Sequence, residues 1–226
     1  MTQPLYETYR PRTFADVVGQ DKAVAQIDLI RRRRGSLSGA AYWISGQSGT
    51  GKTTLARIIA AEVASDWAIV EIDSQSATPQ LIAQIEAGSH LMAMGKGGRA
   101  YIINEAHGLS RAAILKFLTV IERIPKHVAW LFTTTVDGME AFTDKDDSAM
   151  FLSRCQRIPL ARRDITRPMA ERCRMIAQRE GLDGLPIERY IRLLQDCRNN
   201  MRAALQSIES GEMIATDPIP TATEGN

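Results

Sequence analysis

The chain is short of cysteine. Cys155, Cys173 and Cys197 are the only three, an odd number with wide gaps and no C-x-x-C pair. That spacing excludes a disulfide framework and gives no structural zinc site, and it fits a reducing compartment. No apolar run reaches the ~18 residues a membrane helix needs. The polar start, MTQPLYETYRPRTF, has no apolar signal region. Excess charge of one sign is also missing: the formal net charge is +2. Composition therefore does not announce nucleic acid, and any such surface would be a local patch. No internal repeat is present. A cytoplasmic protein with no membrane span is expected.

What is there suits a fold of two parts. The chain has 226 residues, 44% of them hydrophobic, enough for one sizeable α/β core and a small second domain. Residues 1–20 form an extended lead with Pro4 and Pro11. Apolar runs at Ala40–Gly46, Ala68–Asp73, Arg99–Asn104 and Val128–Thr135 read as buried strands. Between them, 21–34, Thr53–Ser65, Pro79–Met94 and Ser110–Arg123 carry helical spacing. This alternation predicts an α/β fold with a mainly parallel sheet between helices. After Pro159 no strand candidate remains, and 164–180 and 186–210 read as amphipathic helices. The expected domains are an α/β unit at 1–160, a small all-helical lid at 161–213 and a disordered polar tail at 214–226.

Two motifs carry chemistry. GQSGTGKT, comprising Gly46, Gln47, Ser48, Gly49, Thr50, Gly51, Lys52 and Thr53, matches G-x-x-x-x-G-K-[ST] between a strand and a helix. Glycines let backbone N–H groups wrap phosphate oxygens, and the helix that follows, with Thr54, offers its positive end. Lys52 is expected to reach the β- and γ-phosphates, and the Thr53 hydroxyl to ligate Mg²⁺, so ATP and Mg²⁺ are the implied cofactors. RAYIINEAHG looks like the second acidic motif of such ATPases, in which an apolar strand ends in two acidic residues. Here the pair is Asn104–Glu105. Glu105 keeps the residue that polarises the attacking water. Asn104 replaces the metal-orienting Asp, so weaker Mg²⁺ binding and slower hydrolysis are expected. His107 reads as a packing or capping residue.

With these motifs in place, the chain resembles AAA+ clamp-loader ATPases, the small subunits of replication factor C and the bacterial gamma/tau subunit. The likeness runs from about Tyr6 to Ser210. YRPRTFADVVGQ is similar to the family segment that lines the adenine pocket, which implies Tyr9, Arg10, Pro11, Val17 and Val18 as nucleotide contacts. AIVEIDSQSA resembles the strand ending in "NASD". LFTTT stands at the first sensor, implying Thr135, with Thr134 in reserve. FLSRCQRIPL looks like the "SRC" motif, implying Arg154 as an arginine finger that acts on a neighbouring subunit's site. CRNNMRAALQSIES is similar to the second-sensor helix, implying Arg202 as a γ-phosphate contact. Thr119 stands where the family has a basic residue. The acidic stretch Asp137–Asp147 is longer than in the family and reads as a surface loop or a partner contact. Arg31–Arg34 is either a solvated helix end, favoured by the helix dipole, or a DNA contact.

The resemblance implies an ATP-hydrolysing AAA+ module that couples ATP state to assembly or remodelling of a DNA replication or repair complex. Its expected partners are ATP and ADP, a homo- or hetero-oligomer with ATP at subunit interfaces, and DNA with a sliding clamp or another replication protein. The family's collar domain of roughly a hundred residues is expected to be absent. Assembly is then expected to depend on the ATP-site interface. Two alternatives stay open: a weakly hydrolysing ATP-dependent scaffold, and a remodeller of a protein partner that does not bind DNA.

Overall fold

A computed structural model describes residues 3–144, 147–161 and 163–215. The expected disordered tail lies outside these residues from position 216 onward. In chain order the elements begin with α1 (Leu5–Thr8), α2 (Asp21–Arg34), β1 (Ala40–Ser45), α3 (Lys52–Val63), β2 (Ile69–Asp73), α4 (Pro79–Ser89) and β3 (Arg99–Asn104). They continue with α5 (Arg111–Glu122), β4 (Val128–Thr134), α6 (Val136–Thr143), α7 (Ser148–Ser153), β5 (Gln156–Pro159), α8 (Thr166–Glu180), α9 (Ile187–Asp196) and α10 (Met201–Glu209). Side-chain oxygens of Thr78, Ser110, Thr135 and Asn200 cap the helices that follow them, each taking up backbone donors a helix start leaves open.

Among the described residues, those within 11–164 form one compact unit, and 3–10 with 165–215 form the other. The boundary falls later than the expected 160/161, and the first ten residues group with the helices. Both differences have a packing cause. Leu160 N–H donates to Ser45 O at 2.7 Å, which extends the sheet pairing past β5. Buried Gln20 clamps Ala161 from both sides, accepting from its N–H at 2.6 Å and donating to its carbonyl at 3.3 Å. At the other end, α1 packs on α10, with Leu5 buried.

The first unit is a five-stranded sheet in the order β2-β3-β4-β1-β5, parallel throughout. Side chains on a strand alternate between faces, and β1 shows it. Ala41 and Trp43 enter one core with Tyr101, Phe117, Trp130, Phe132, Phe142 and Phe151. Tyr42 and Ile44 enter the opposite core with Ile27, Leu55, Ile59, Ile102 and Leu131. The aromatic core mixes stacked and edge contacts: Tyr101 stacks on Trp130 at 4.6 Å between centroids, and Phe117 meets Trp130 and Phe132 at 5.2 and 5.1 Å, both T-shaped.

Four expectations need correction. β5 is a strand with no counterpart in the sequence reading, because it is a short edge strand with Ile158 as its one buried residue. The helix expected over Pro79–Met94 stops at Ser89, and beyond it Leu91 is 70% exposed. Gly95 and Gly97, both at φ 79°, turn the chain there. The single helix expected over 186–210 is two, split where Arg198 and Asn199 take left-handed φ of 53° and 58°. The stretch expected as an acidic surface loop or a partner contact is no plain loop: it holds α6, whose buried Phe142 lies 4.6 Å from Trp43 between ring centroids.

Candidate functional site

Parallel strands end on one side, so their C-terminal ends share a rim, the usual ligand position in open α/β sheets. On this rim the loop after β1 meets the ends of β3 and β4. Gly46 N–H donates to Thr134 O at 3.2 Å, which ties the loop's start to β4. A Cβ on Gly46 would stand 2.9 Å from Leu160 Cβ and 3.0 Å from Thr50 Oγ1, so the position has no room for a side chain. Gly49 and Gly51 take φ of 77° and 97°, a region L side chains avoid. Thr50 Oγ1 donates to Gln47 O at 2.8 Å, and the buried Lys52 ammonium donates to the same carbonyl at 2.9 Å. Ser48 is exposed at the loop tip; Thr53 and Thr54 follow in the first turn of α3, half-buried. A tight loop, a buried cation curled over it and a helix start behind it together suit a bound phosphate chain.

The structure brings Thr53 and Asn104 together. Thr53 Oγ1 donates to Asn104 Oδ1 at 3.3 Å, and Thr133 Oγ1 donates to the same oxygen at 3.2 Å. Asn104 Nδ2 donates to Glu71 Oε2 at 3.4 Å. Glu71 is paired in turn with Arg57 of α3, through Nη2 at 3.1 Å and a closer Nε contact. Sequence reasoning missed Thr133, Glu71 and Arg57. Among the described residues no group of three or more His, Cys, Asp or Glu forms a metal cage. A cation here would rely on a few oxygen ligands plus phosphate, the usual manner of Mg²⁺. Thr53 and the acceptor on Asn104 fit that manner.

Glu105 follows with φ 50° and ψ 47°, left-handed for a non-glycine residue. Its half-exposed carboxylate lies 3.4 Å from His107 Nδ1, and that ring nitrogen lies 3.2 Å from Thr134 Oγ1. His107 also packs against α6: a Cβ on Gly138 would stand 2.4 Å from its Nδ1. Thr135, the expected first sensor, sits at the start of α6, where its Oγ1 accepts from Gly138 N–H at 3.0 Å. Of the threonines at the end of β4, Thr133 is the one joined to Asn104.

Arg154 follows α7 directly. Its Nε and Nη2 donate to Glu122 Oε1 at 2.9 and 2.5 Å, and Nη1 donates to Met150 O at 2.8 Å. Its neighbour Cys155 is buried, which pushes the thiol up to about 12. From the segment expected to line an adenine pocket, Pro11 and Val18 are half-buried in the sheet unit, and Val17 packs on the core that holds α3. Tyr9, Arg10 and Arg202 belong to the helical unit. Tyr9 OH donates to Glu180 Oε1 at 2.5 Å; this bond, with a smaller contribution from burial, raises its pKa. Arg10 pairs with Glu7 and keeps a buried Nε with no hydrogen-bond partner. Arg202 opens α10 with its guanidinium 5.4 Å from the Tyr6 ring centroid, a cation–π contact.

A parallel sheet, a glycine loop after β1 and an Asn–Glu pair closing β3 define a P-loop fold of the AAA kind. The family model described as AAA domain (dynein-related subfamily) matches residues 42–173, more than half of the chain, and the chain belongs to the AAA domain family. It is similar to DNA polymerase III subunit tau of Bacillus subtilis, 29% identical over 185 residues, covering 71% of this chain and 31% of that protein. It is 30% identical over 159 residues to DNA polymerase III subunit tau of Escherichia coli, covering 59% of this chain and 24% of that one. The chain therefore spans about a third or less of these curated relatives. In fold it is similar to the Thermotoga maritima RuvB Holliday junction branch migration motor, with TM-score 0.67, 20% identity, and 89% of this chain and 64% of that chain covered. The clamp-loader resemblance drawn from the motifs agrees with the two tau subunits. Among the described residues no helix is long and apolar enough to cross a membrane.

Proposed function

We propose that this chain binds ATP with Mg²⁺ and hydrolyses it at the loop Gly46–Thr53, as part of an assembly that acts in DNA replication or repair. The observation that carries the reading is the phosphate-shaped loop. Gly46 admits no Cβ, Gly49 and Gly51 hold left-handed backbone, and Lys52 is buried against the loop's own carbonyl. On binding, Lys52 would exchange the Gln47 carbonyl for phosphate oxygens. Thr53 and Asn104 would hold the cation, which neutralises phosphate charge when bound. Glu105 would orient and polarise the attacking water, with His107 and Thr134 fixing its surroundings. Thr135, or Thr134 beside it, is the proposed first sensor, and Arg202 the proposed second. Arg154 is proposed to act on a neighbouring subunit's nucleotide. The link to DNA rests on the names of the tau relatives.

The test is a titration of a fluorescent ATP analogue with magnesium, alongside steady-state hydrolysis. Wild-type chain should bind, Lys52→Ala should not, and Glu105→Gln should bind but hydrolyse at least about a hundredfold more slowly. Failure of the wild type to bind at millimolar nucleotide would end the proposal. A second reading, an ATP-dependent scaffold that barely hydrolyses, is favoured by one observation, the amide at position 104. Turnover that stays negligible with DNA and partners present would select it. DNA binding that is absent even at low salt would remove the link to nucleic acid.

A further inference from the structure

The amide of Asn104 sits among three partners, and only one of them distinguishes its two ends. Thr53 and Thr133 offer hydroxyls, which donate or accept equally well and would suit either the oxygen or the NH₂. Glu71 offers a carboxylate, which only accepts. The carboxylate therefore decides the orientation. With Nδ2 turned to Glu71, Oδ1 faces Thr53. Turned the other way, the carbonyl oxygen would oppose a carboxylate, and the NH₂ would take a lone pair of Thr53 Oγ1.

The fold places Glu71 for this task. Asp73 pairs in register with Asn104 on β3. Glu71 lies two residues before Asp73 and so shares its face, the face covered by α3. Arg57 of α3 holds the carboxylate there. Because Arg57 offsets its charge, Glu71 acts on the site by direction more than by net charge.

We infer that Glu71 is a positioning residue for the nucleotide site: it locks the Asn104 amide so that the Thr53 hydroxyl gives its proton to Asn104 and keeps its oxygen lone pairs for Mg²⁺. This rests on the nucleotide reading above. Where the usual acidic residue has two like oxygens and no wrong orientation, an asparagine needs a neighbour to set it, and Glu71 is that neighbour.

The experiment measures the magnesium concentration that half-saturates the gain in affinity for a fluorescent ATP analogue, with an excess of chelator as the metal-free reference. Glu71→Ala should raise that concentration roughly three- to tenfold and leave metal-free affinity unchanged. Glu71→Gln, whose amide again accepts or donates, should give a smaller rise and serves if the alanine variant folds poorly. In an Asn104→Asp background, Glu71→Ala should leave the concentration unchanged or lower it, since a carboxylate has no orientation to lose and Glu71 becomes a like-charged neighbour. Equal shifts in both backgrounds, or no shift in either, overturn the inference while leaving nucleotide binding intact. A wild-type chain that binds no analogue with or without magnesium overturns both.

Discussion

Arg154 and Glu122 form a fork in which two guanidinium nitrogens, at 2.9 and 2.5 Å, share one carboxylate oxygen. The Glu122 side chain is 50% exposed and that of Arg154 32%. Exposed pairs of this kind contribute about 0–1 kcal/mol, too little to prevent release toward a better anion. On the proposed function, a transferring phosphoryl group in a neighbouring subunit would be such an anion. Glu122→Gln should therefore change stability by less than about 1 kcal/mol. Arg154→Ala should lower assembly-dependent hydrolysis by about a thousandfold with nucleotide affinity retained. Mixing Arg154→Ala with Lys52→Ala chains should restore some activity, because one supplies the site and the other the arginine. Hydrolysis that is independent of protein concentration and indifferent to Arg154→Ala would contradict this.

Gly46→Ala forces a methyl to within 2.9 Å of Leu160 and 3.0 Å of Thr50. Overpacking of this kind costs about 1–3 kcal/mol, so the melting temperature should fall and nucleotide affinity with it. Gly181→Ala meets no atom within 4 Å and strains only its φ of 71°. It should cost about 1 kcal/mol and spare the nucleotide site. Thermal melts with and without an ATP analogue separate the two effects.

Asp183 staples α8 to α9. Burial alone would raise its carboxyl, but hydrogen bonds from Tyr190 and Gln178, with the charge of Arg174, hold it below the ordinary value. A depressed folded-state value means that stability is present above the unfolded carboxyl value of ~3.9 and is lost as pH falls through the lower folded value. Wild type should exceed Asp183→Ala by about 1–2 kcal/mol at neutral pH, and the gap should shrink toward pH ~3. A gap that stays constant across this range would show that the carboxylate's charge plays no part.

Burial pushes the thiols of Cys155 and Cys173 up to about 12, while Cys197 is only partly buried. Native protein treated with iodoacetamide near pH 8 should be modified at Cys197 first, with the other two reacting only on unfolding. Mass spectrometry of the labelled peptides reads this directly.

The phosphate loop was legible because its chemistry is local. Three closely spaced glycines, a lysine and a threonine carry both the conformation and the ligands. The β1 and β4 runs were legible too, since a central strand buried on both faces leaves an unbroken apolar signature. Glu71 was not, because its role depends on the register of β2 on β3 and on Arg57 from a different element. Which of Thr133, Thr134 and Thr135 meets Asn104 was hidden for a similar reason. Where β4 ends and α6 begins decides which hydroxyl faces Asn104 and which becomes a cap. The break between α9 and α10 did leave a trace: Asn199 tolerates left-handed backbone, and Asn200 is a strong N-cap.

Glu105 keeps a bulky side chain on backbone that glycine would occupy at ease. A left-handed non-glycine residue costs on the order of 1–2 kcal/mol, so Glu105→Gly should make the protein tougher to heat even as it removes the group proposed to polarise water. Laboratory evolution for robustness alone would drift toward that variant, and a library sorted by heat tolerance would return chains stripped of the proposed base.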